Sequence, residues 1–165
     1  MNSSTEIKNI AKETIKLEVD AIKKLEDSID DSFVRVIELI LSAKGRLIVA
    51  GIGKSANIAN KMVATFNSTG QPAVFLHAAD AIHGDLGNIQ KEDVVICISK
   101  SGNTPEIKAL LPFIKSMGNT IVGLTGNIDS FLARESNFAL DVSVEKEACP
   151  NNLAPTSSTT AQLVM

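Results

Sequence analysis

The sequence predicts an α/β fold: a five-stranded parallel sheet with helices on both faces, preceded by an N-terminal helical pair. Three observations carry this. The runs Leu47-Ile48-Val49-Ala50, Val94-Val95-Ile96-Cys97-Ile98 and Ile121-Val122-Gly123-Leu124 are apolar on both faces, the pattern of strands buried inside a parallel sheet. Helix-length amphipathic segments separate them, as right-handed crossovers between parallel strands require. Two of the runs lead straight into loops of glycine and hydroxyl residues, and ligands bind at the carboxyl ends of strands in such sheets.

The elements follow in order. Ile7, Ile10, Ala11, Thr14, Leu17, Ala21 and Leu25 keep helical spacing, and Asp30 or Asp31 caps a second helix carrying Phe33, Val34, Ile37, Ile40 and Leu41. Leu47 to Ala50 is the first strand, followed by a glycine loop and a helix from about Ser55 to Ser68. Gly70 and Pro72 mark the turn into a short strand, Ala73 to Leu76. Val94 to Ile98 is the third strand, and a helix from Pro105 to about Met117 starts on a proline that needs no N–H there. The strand Ile121 to Leu124, a short helix near Ser130 to Glu135 and a last strand, Phe138 to Val142, complete the sheet. A hydroxyl cluster, Thr156 to Thr160, then opens a final helix. Residues 1–43 and 44–165 read as one domain, without internal repeat or linker.

Composition narrows the class. The 165 residues are 44% hydrophobic with a net charge of −3, enough for one buried core and without the basic excess that nucleic acid demands. No run has transmembrane length and no signal-peptide core precedes the domain, so a cytoplasmic protein without membrane partners is expected. Two cysteines are too few for a disulfide framework or zinc knuckle. Cys97 reads as a small core residue, and Cys149, in a polar loop with no base beside it in sequence, as a bystander.

The octapeptide Ser99-Lys100-Ser101-Gly102-Asn103-Thr104-Pro105-Glu106 reads as a phosphate cradle. A strand ends, a tight loop follows, and the N–H groups and positive dipole end of a helix point at it. Ser99, Ser101 and Thr104 add side-chain donors, and Glu106, one residue inside the helix, is free to serve the rest of the ligand. The other loop, Gly51-Ile52-Gly53-Lys54-Ser55, is not a Walker A motif, because Ile48 stands where its first glycine belongs. It matches a dinucleotide fingerprint weakly, through Gly51, Gly53 and Ala56, with no acid placed for a ribose after Leu76-His77. Lys54 opposes the dipole at a helix start, a cost that suggests function. His83 precedes a glycine turn beyond a strand end, and Glu147 and the Thr156-Ser157-Ser158 run lie on the same edge.

Together, Gly51-Ile52-Gly53-Lys54-Ser55, Ala81-Ile82-His83-Gly84-Asp85-Leu86-Gly87, Ser99-Lys100-Ser101-Gly102, Glu145-Lys146-Glu147-Ala148-Cys149-Pro150 and Ala154-Pro155-Thr156-Ser157-Ser158-Thr159-Thr160 resemble one family. It is the sugar isomerase (SIS) domain of D-arabinose 5-phosphate isomerases, with a flavodoxin-like sheet, and the likeness runs from about Lys44 to Met165. The resemblance implies interconversion of D-ribulose 5-phosphate and D-arabinose 5-phosphate, the entry to Kdo synthesis, without metal or organic cofactor. It implies Lys54, His83, Glu106 and Glu147 as catalytic groups, and Gly53, Ser55, Ser99, Ser101, Gly102, Thr104, Thr156, Ser157 and Ser158 as the substrate and phosphate contacts. An enediolate intermediate needs a base, suited to a carboxylate of raised pKa, and Glu106 and Glu147 are left unranked for it. Family domains continue through the last helix to a further histidine, and many append CBS domains, so an incomplete C-terminus is expected. A homotetramer is expected as well. The alternatives are a phosphosugar-sensing SIS domain without catalysis, which would not need both acids, and an isomerase of another phosphosugar.

Overall fold

The computed structural model describes residues 3–165, in which five parallel strands form one sheet. These are β1 (Leu47–Gly51), β2 (Ala73–His77), β3 (Val94–Ser99), β4 (Thr120–Thr125) and β5 (Phe138–Asp141). Helices α1 (Ser4–Lys24) and α2 (Asp31–Ser42) precede them; α3 (Lys54–Ser68), α4 (Ala78–Ile82), α5 (Pro105–Met117) and α6 (Phe131–Glu135) connect them, and α7 (Ser157–Val164) follows. The strand order is β2-β1-β3-β4-β5, the flavodoxin-like arrangement, with the switch in direction between β1 and β3.

Side-chain alternation along the strands builds two cores. Leu47, Val49, Ile96, Ile98, Val122 and Leu124 share a core with Val36 of α2, Ala59 of α3 and Ala161 of α7. Ile48, Ala50, Val95, Cys97 and Ile121 share the other with Ala81 of α4, Ile107, Leu110, Leu111 and Ile114 of α5, and Leu132 of α6. Burial of each large apolar side chain contributes about 1.5–3 kcal/mol, and β1 and β3 are buried along their whole length. Cys97 is one such core residue; burial pushes its thiol up to about 12, which makes it inert.

Two differences from the expected elements have physical causes. The stretch after β2 folds into α4 and a 3₁₀ turn, Asp85–Asn88, which a five-residue helix with only Ala78 and Ala81 buried does not announce by periodicity. In α1 the stripe continues to the N-terminus, yet Ala21 is the one buried residue of the helix, and Ile7 and Ile10 on the stripe are exposed. An apolar groove of about 530 Å³ lies between α2, α3 and the sheet, lined by Phe33, Ile37, Met62, Phe66, Ile96 and Leu124 among others, and the loops at the carboxyl edge do not reach it.

The amino edge is locked by one buried carboxylate. Asp93 accepts from the Arg46 N–H at 2.8 Å, from Arg46 Nη2 at 2.7 Å and from the Gln90 N–H at 2.8 Å. Burial raises its pKa, but the Arg46 guanidinium and the two N–H groups outweigh that and lower it. Gly45 passes so close that an added Cβ would overlap the Glu92 carbonyl. Replacing Asp93 by Ala leaves Arg46 without its partner and exposes the strand starts, so Asp93→Ala should cost about 3 kcal/mol or more. Urea unfolding measures this as a lower midpoint at unchanged slope.

Candidate active site

The helices differ in how their first N–H groups are met. α1, α2 and α6 are capped by their own residues: Ser3 in a capping box with Glu6, Asp30 on Ser32 and Phe33, and Ser130 on Ala133. α3 and α5, which begin at the ends of β1 and β3 beside the switch point, have no side-chain cap. Their first N–H groups and dipole ends face the carboxyl edge open to an anion.

Sequence explains each turn. Gly51 lies so close to the start of α3 that a Cβ would stand 3.0 Å from the Ser55 carbonyl, and Gly53 has φ +60° with open space around it. Lys54 is then the first residue of α3, exposed and without an ion pair among the described residues. Ser55 turns the other way. Its hydroxyl donates to Gln162 Oε1 at 3.2 Å and ties α3 to α7.

The serine loop is ordered by its own hydroxyls. Ser99, buried, accepts from the Gly102 N–H at 3.1 Å and shares a hydrogen with Thr104 Oγ1 at 2.7 Å. With Ser99 donating to Thr104, the Thr104 hydrogen is left for a ligand. Ser101 is exposed, and its oxygen accepts from the Asn103 N–H at 3.1 Å, which also leaves its own hydrogen outward. Gly102 has φ +62°, and a Cβ there would overlap Ser130 and stand 2.7 Å from Thr125 Oγ1. Pro105 and Glu106 open α5. Glu106 is partly buried and makes no side-chain hydrogen bond or ion pair among the described residues.

From β5 the chain turns back toward α3, bringing Glu147 beside β3. The Glu147 side chain is 1% exposed, and its Oε1 accepts from Lys100 Nζ at 2.6 Å and Ser158 Oγ at 2.5 Å. Its Oε2 accepts from the Thr156 N–H at 2.7 Å, Thr156 Oγ1 at 3.1 Å and the Ser158 N–H at 3.1 Å. Burial raises the pKa of this carboxyl, but the hydrogen bonds from Lys100, Ser158 and the two N–H groups prevail and hold it at about 2. In this structure Glu147 is thus a carboxylate held ionised, with Thr156 and Ser158 among its donors. Ser157 likewise donates to Glu18 Oε1 at 3.3 Å.

His83 ends α4 with its side chain exposed, just before Gly84 at φ +142°. Lys54, His83 and Glu106 thus stand after β1, β2 and at the end of the β3 loop with no internal partners among the described residues, whereas Glu147, Thr156 and Ser158 form one cluster with Lys100. Lys100 is the residue that motif reading passes over, although it lies inside the serine loop. Cys149 is partly exposed, and backbone N–H groups of Ala154, Leu153 and Asn151 lower its thiol pKa. Among the described residues no cluster of three His, Cys, Asp or Glu side chains could hold a metal, and no helix is long and apolar enough to cross a membrane.

A flavodoxin-like sheet whose switch point is flanked by two open helix starts and a hydroxyl-rich loop defines an α/β domain with a candidate anion site at its carboxyl edge. The chain belongs to the SIS domain family, whose model matches residues 39–165. Arabinose 5-phosphate isomerase KdsD of Pseudomonas aeruginosa is 50% identical over 165 residues, all of this chain and 51% of that protein. Its counterpart in Francisella tularensis is 52% identical over 160 residues, covering 95% of this chain and 49% of that protein. The chain therefore spans about half the length of the curated relatives it matches. A solved E. coli CFT073 protein in complex with arabinose 5-phosphate superposes with a TM-score of 0.94 at 41% identity, covering 99% of this chain and 87% of that one.

Because the folded pKa of Glu147 lies below its ordinary 4.5, its contribution to stability is complete above about pH 4.5 and drains as the pH falls toward about 2. Between about pH 5 and pH 2.5 the wild type should lose on the order of 2 kcal/mol more than Glu147→Gln. Urea titrations at the two pH values check it; an equal loss in both proteins would remove the assignment.

Proposed function

We propose that the chain is the isomerase domain of an arabinose 5-phosphate isomerase, interconverting D-ribulose 5-phosphate and D-arabinose 5-phosphate at the start of Kdo synthesis in the cytoplasm. The observation that carries this is the relative with bound arabinose 5-phosphate, 41% identical across 99% of the chain. Phosphate binds at the start of α5, where the helix has no side-chain cap and the Ser101 and Thr104 hydroxyls stand in the loop before it. Lys54, on the uncapped start of α3, faces the sugar oxygens that become anionic.

The reaction moves a carbonyl by one carbon. A base removes the proton from carbon 2 of the aldose, the electron pair forms the enediolate, the proton of the carbon 2 hydroxyl passes to the former carbonyl oxygen as the new carbonyl forms at carbon 2, and the base returns its proton to carbon 1. Glu106 suits the base because its carboxylate is not engaged, whereas five donors surround that of Glu147. His83 moves the proton between oxygens or opens the furanose ring. Self-association, as a homotetramer, would use exposed apolar surface such as that of Ile7 and Ile10, three residues apart on α1.

Incubation with ribulose 5-phosphate and identification of the aldose by its stereochemistry tests the activity. Glu106→Gln should lower kcat by about 10² to 10⁴-fold with the fold intact, as removal of a general base does. A decrease of less than about tenfold transfers the role elsewhere.

Ser101→Ala should raise KM for the phosphosugar by about 10 to 100-fold, since charge-assisted hydrogen bonds are each worth roughly 1.5–3 kcal/mol. Calorimetry with the unphosphorylated sugar should show no change, and equal affinities for the two sugars would rule out the cradle.

A further inference from the structure

Lys100 belongs to one loop and is bonded to another. It lies between Ser99 and Ser101 in the phosphate loop, and its Nζ donates to Glu147 Oε1 at 2.6 Å. Its backbone is fixed, since the Lys100 carbonyl accepts from the Gly126 N–H at 3.0 Å, but its side chain is 51% exposed and its stem is flexible. A cavity of about 420 Å³ lined by Lys100, Ser101, Asn127 and Ser158, among others, joins the phosphate loop to the Glu147 cluster. The ammonium can serve either side of it.

The charges around Glu147 leave Lys100 without a substitute. Its own segment carries Glu145 and Lys146, α1 contributes Glu18, which is bonded to Ser157, and Lys24, which lies 3.6 Å from Glu145, and α7 offers Thr156 and Ser158 but no cation. Lys100 is the cation within hydrogen-bond distance of Glu147 among the described residues.

Resting on the isomerase function proposed above, we propose that Lys100 is a shared cation: it pairs with Glu147 in the unliganded site and transfers to the phosphate of a ligand bound in the Ser99–Thr104 loop. A phosphate dianion carries more charge than a carboxylate and accepts from Ser101 and the α5 N–H groups at the same time, so it competes well for the ammonium. Glu147 is then left buried with the Thr156 and Ser158 donors alone. Burial favours its protonated form, and the counterweight from Lys100 has gone, so its proton affinity rises when a phosphorylated ligand is bound. An unphosphorylated sugar leaves Lys100 where it is. Lys100 is thereby a positioning residue toward Glu147 and a binding residue toward phosphate.

Competition makes opposite predictions for the two partners. With inorganic phosphate as the probe in calorimetry, Lys100→Met should weaken binding by about tenfold, and Glu147→Gln should tighten it by about three- to tenfold. The effect of Glu147→Gln should vanish in the Lys100→Met background, and Lys100→Arg should stay within about twofold of the wild type. A structural role alone would make both single variants bind more weakly, and that result overturns the proposal. A second measurement is the proton linkage: at about pH 5 the net proton uptake on phosphate binding, read from the dependence of the binding heat on buffer ionisation, should be greater in the unmodified protein than in Glu147→Gln, a difference that cancels any proton the phosphate itself releases, and equal values also overturn the proposal. Failure of the isomerase assay with this phosphate pattern intact overturns the function and leaves the shared cation standing.

Discussion

A single carboxylate, that of Glu147, joins segments that the sheet alone does not. Its five donors come from the loop after β3 and from the start of α7, so one side chain decides where the returning chain crosses the carboxyl edge. An ion this buried is tolerated only when its partners are complete, because desolvation costs several kcal/mol and an empty acceptor site is not replaced by water. α7, without a side-chain cap from its own Thr156, takes Glu147 as a long-range cap, and Gln162 then meets Ser55 on α3. The β3 loop, α7 and α3 therefore stand or fall as one unit.

Anion demand at helix starts accounts for the rest of the edge. Every helix begins with N–H groups that need an acceptor. α1, α2 and α6 meet the need locally, α7 meets it through Glu147, and α3, the short α4 and α5 have no side-chain cap at the carboxyl edge. Two of these starts, those of α3 and α5, flank the switch point beside the Ser101 and Thr104 hydroxyls.

The sheet is legible in the sequence because β1, β3 and β4 are continuous apolar runs and their connections keep a helical period. The phosphate loop is legible for a local reason too: Gly102, Pro105 and the hydroxyls signal a tight turn onto a helix within eight residues. What cannot be read is which anion each donor serves. Thr156, Ser157 and Ser158 announce an anion acceptor by their type and position, but a carboxylate from nine to eleven residues upstream satisfies Thr156 and Ser158 as well as any ligand would. The Lys100–Glu147 pair spans 47 residues and neither partner has a local signature, so in sequence Glu147 resembles part of a solvated turn. The Ser55–Gln162 bond is illegible for the same reason, its partners lying 107 residues apart.

The two edges of the sheet place ionic chemistry in opposite regimes. At the amino edge Asp93 is matched to Arg46 and to backbone N–H groups of its own neighbourhood, a closed arrangement in which no partner can leave without breaking the strand starts. At the carboxyl edge the Glu147 cluster contains one partner on a flexible, half-exposed stem, while Glu106, Lys54 and His83 have none among the described residues. Proton transfer requires groups whose charged and neutral forms are close in free energy, and that closeness is lost once a carboxylate is fully hydrogen-bonded. The rigid edge holds the strands in register, and the edge with unspent or exchangeable partners is where protonation can change without unfolding the domain.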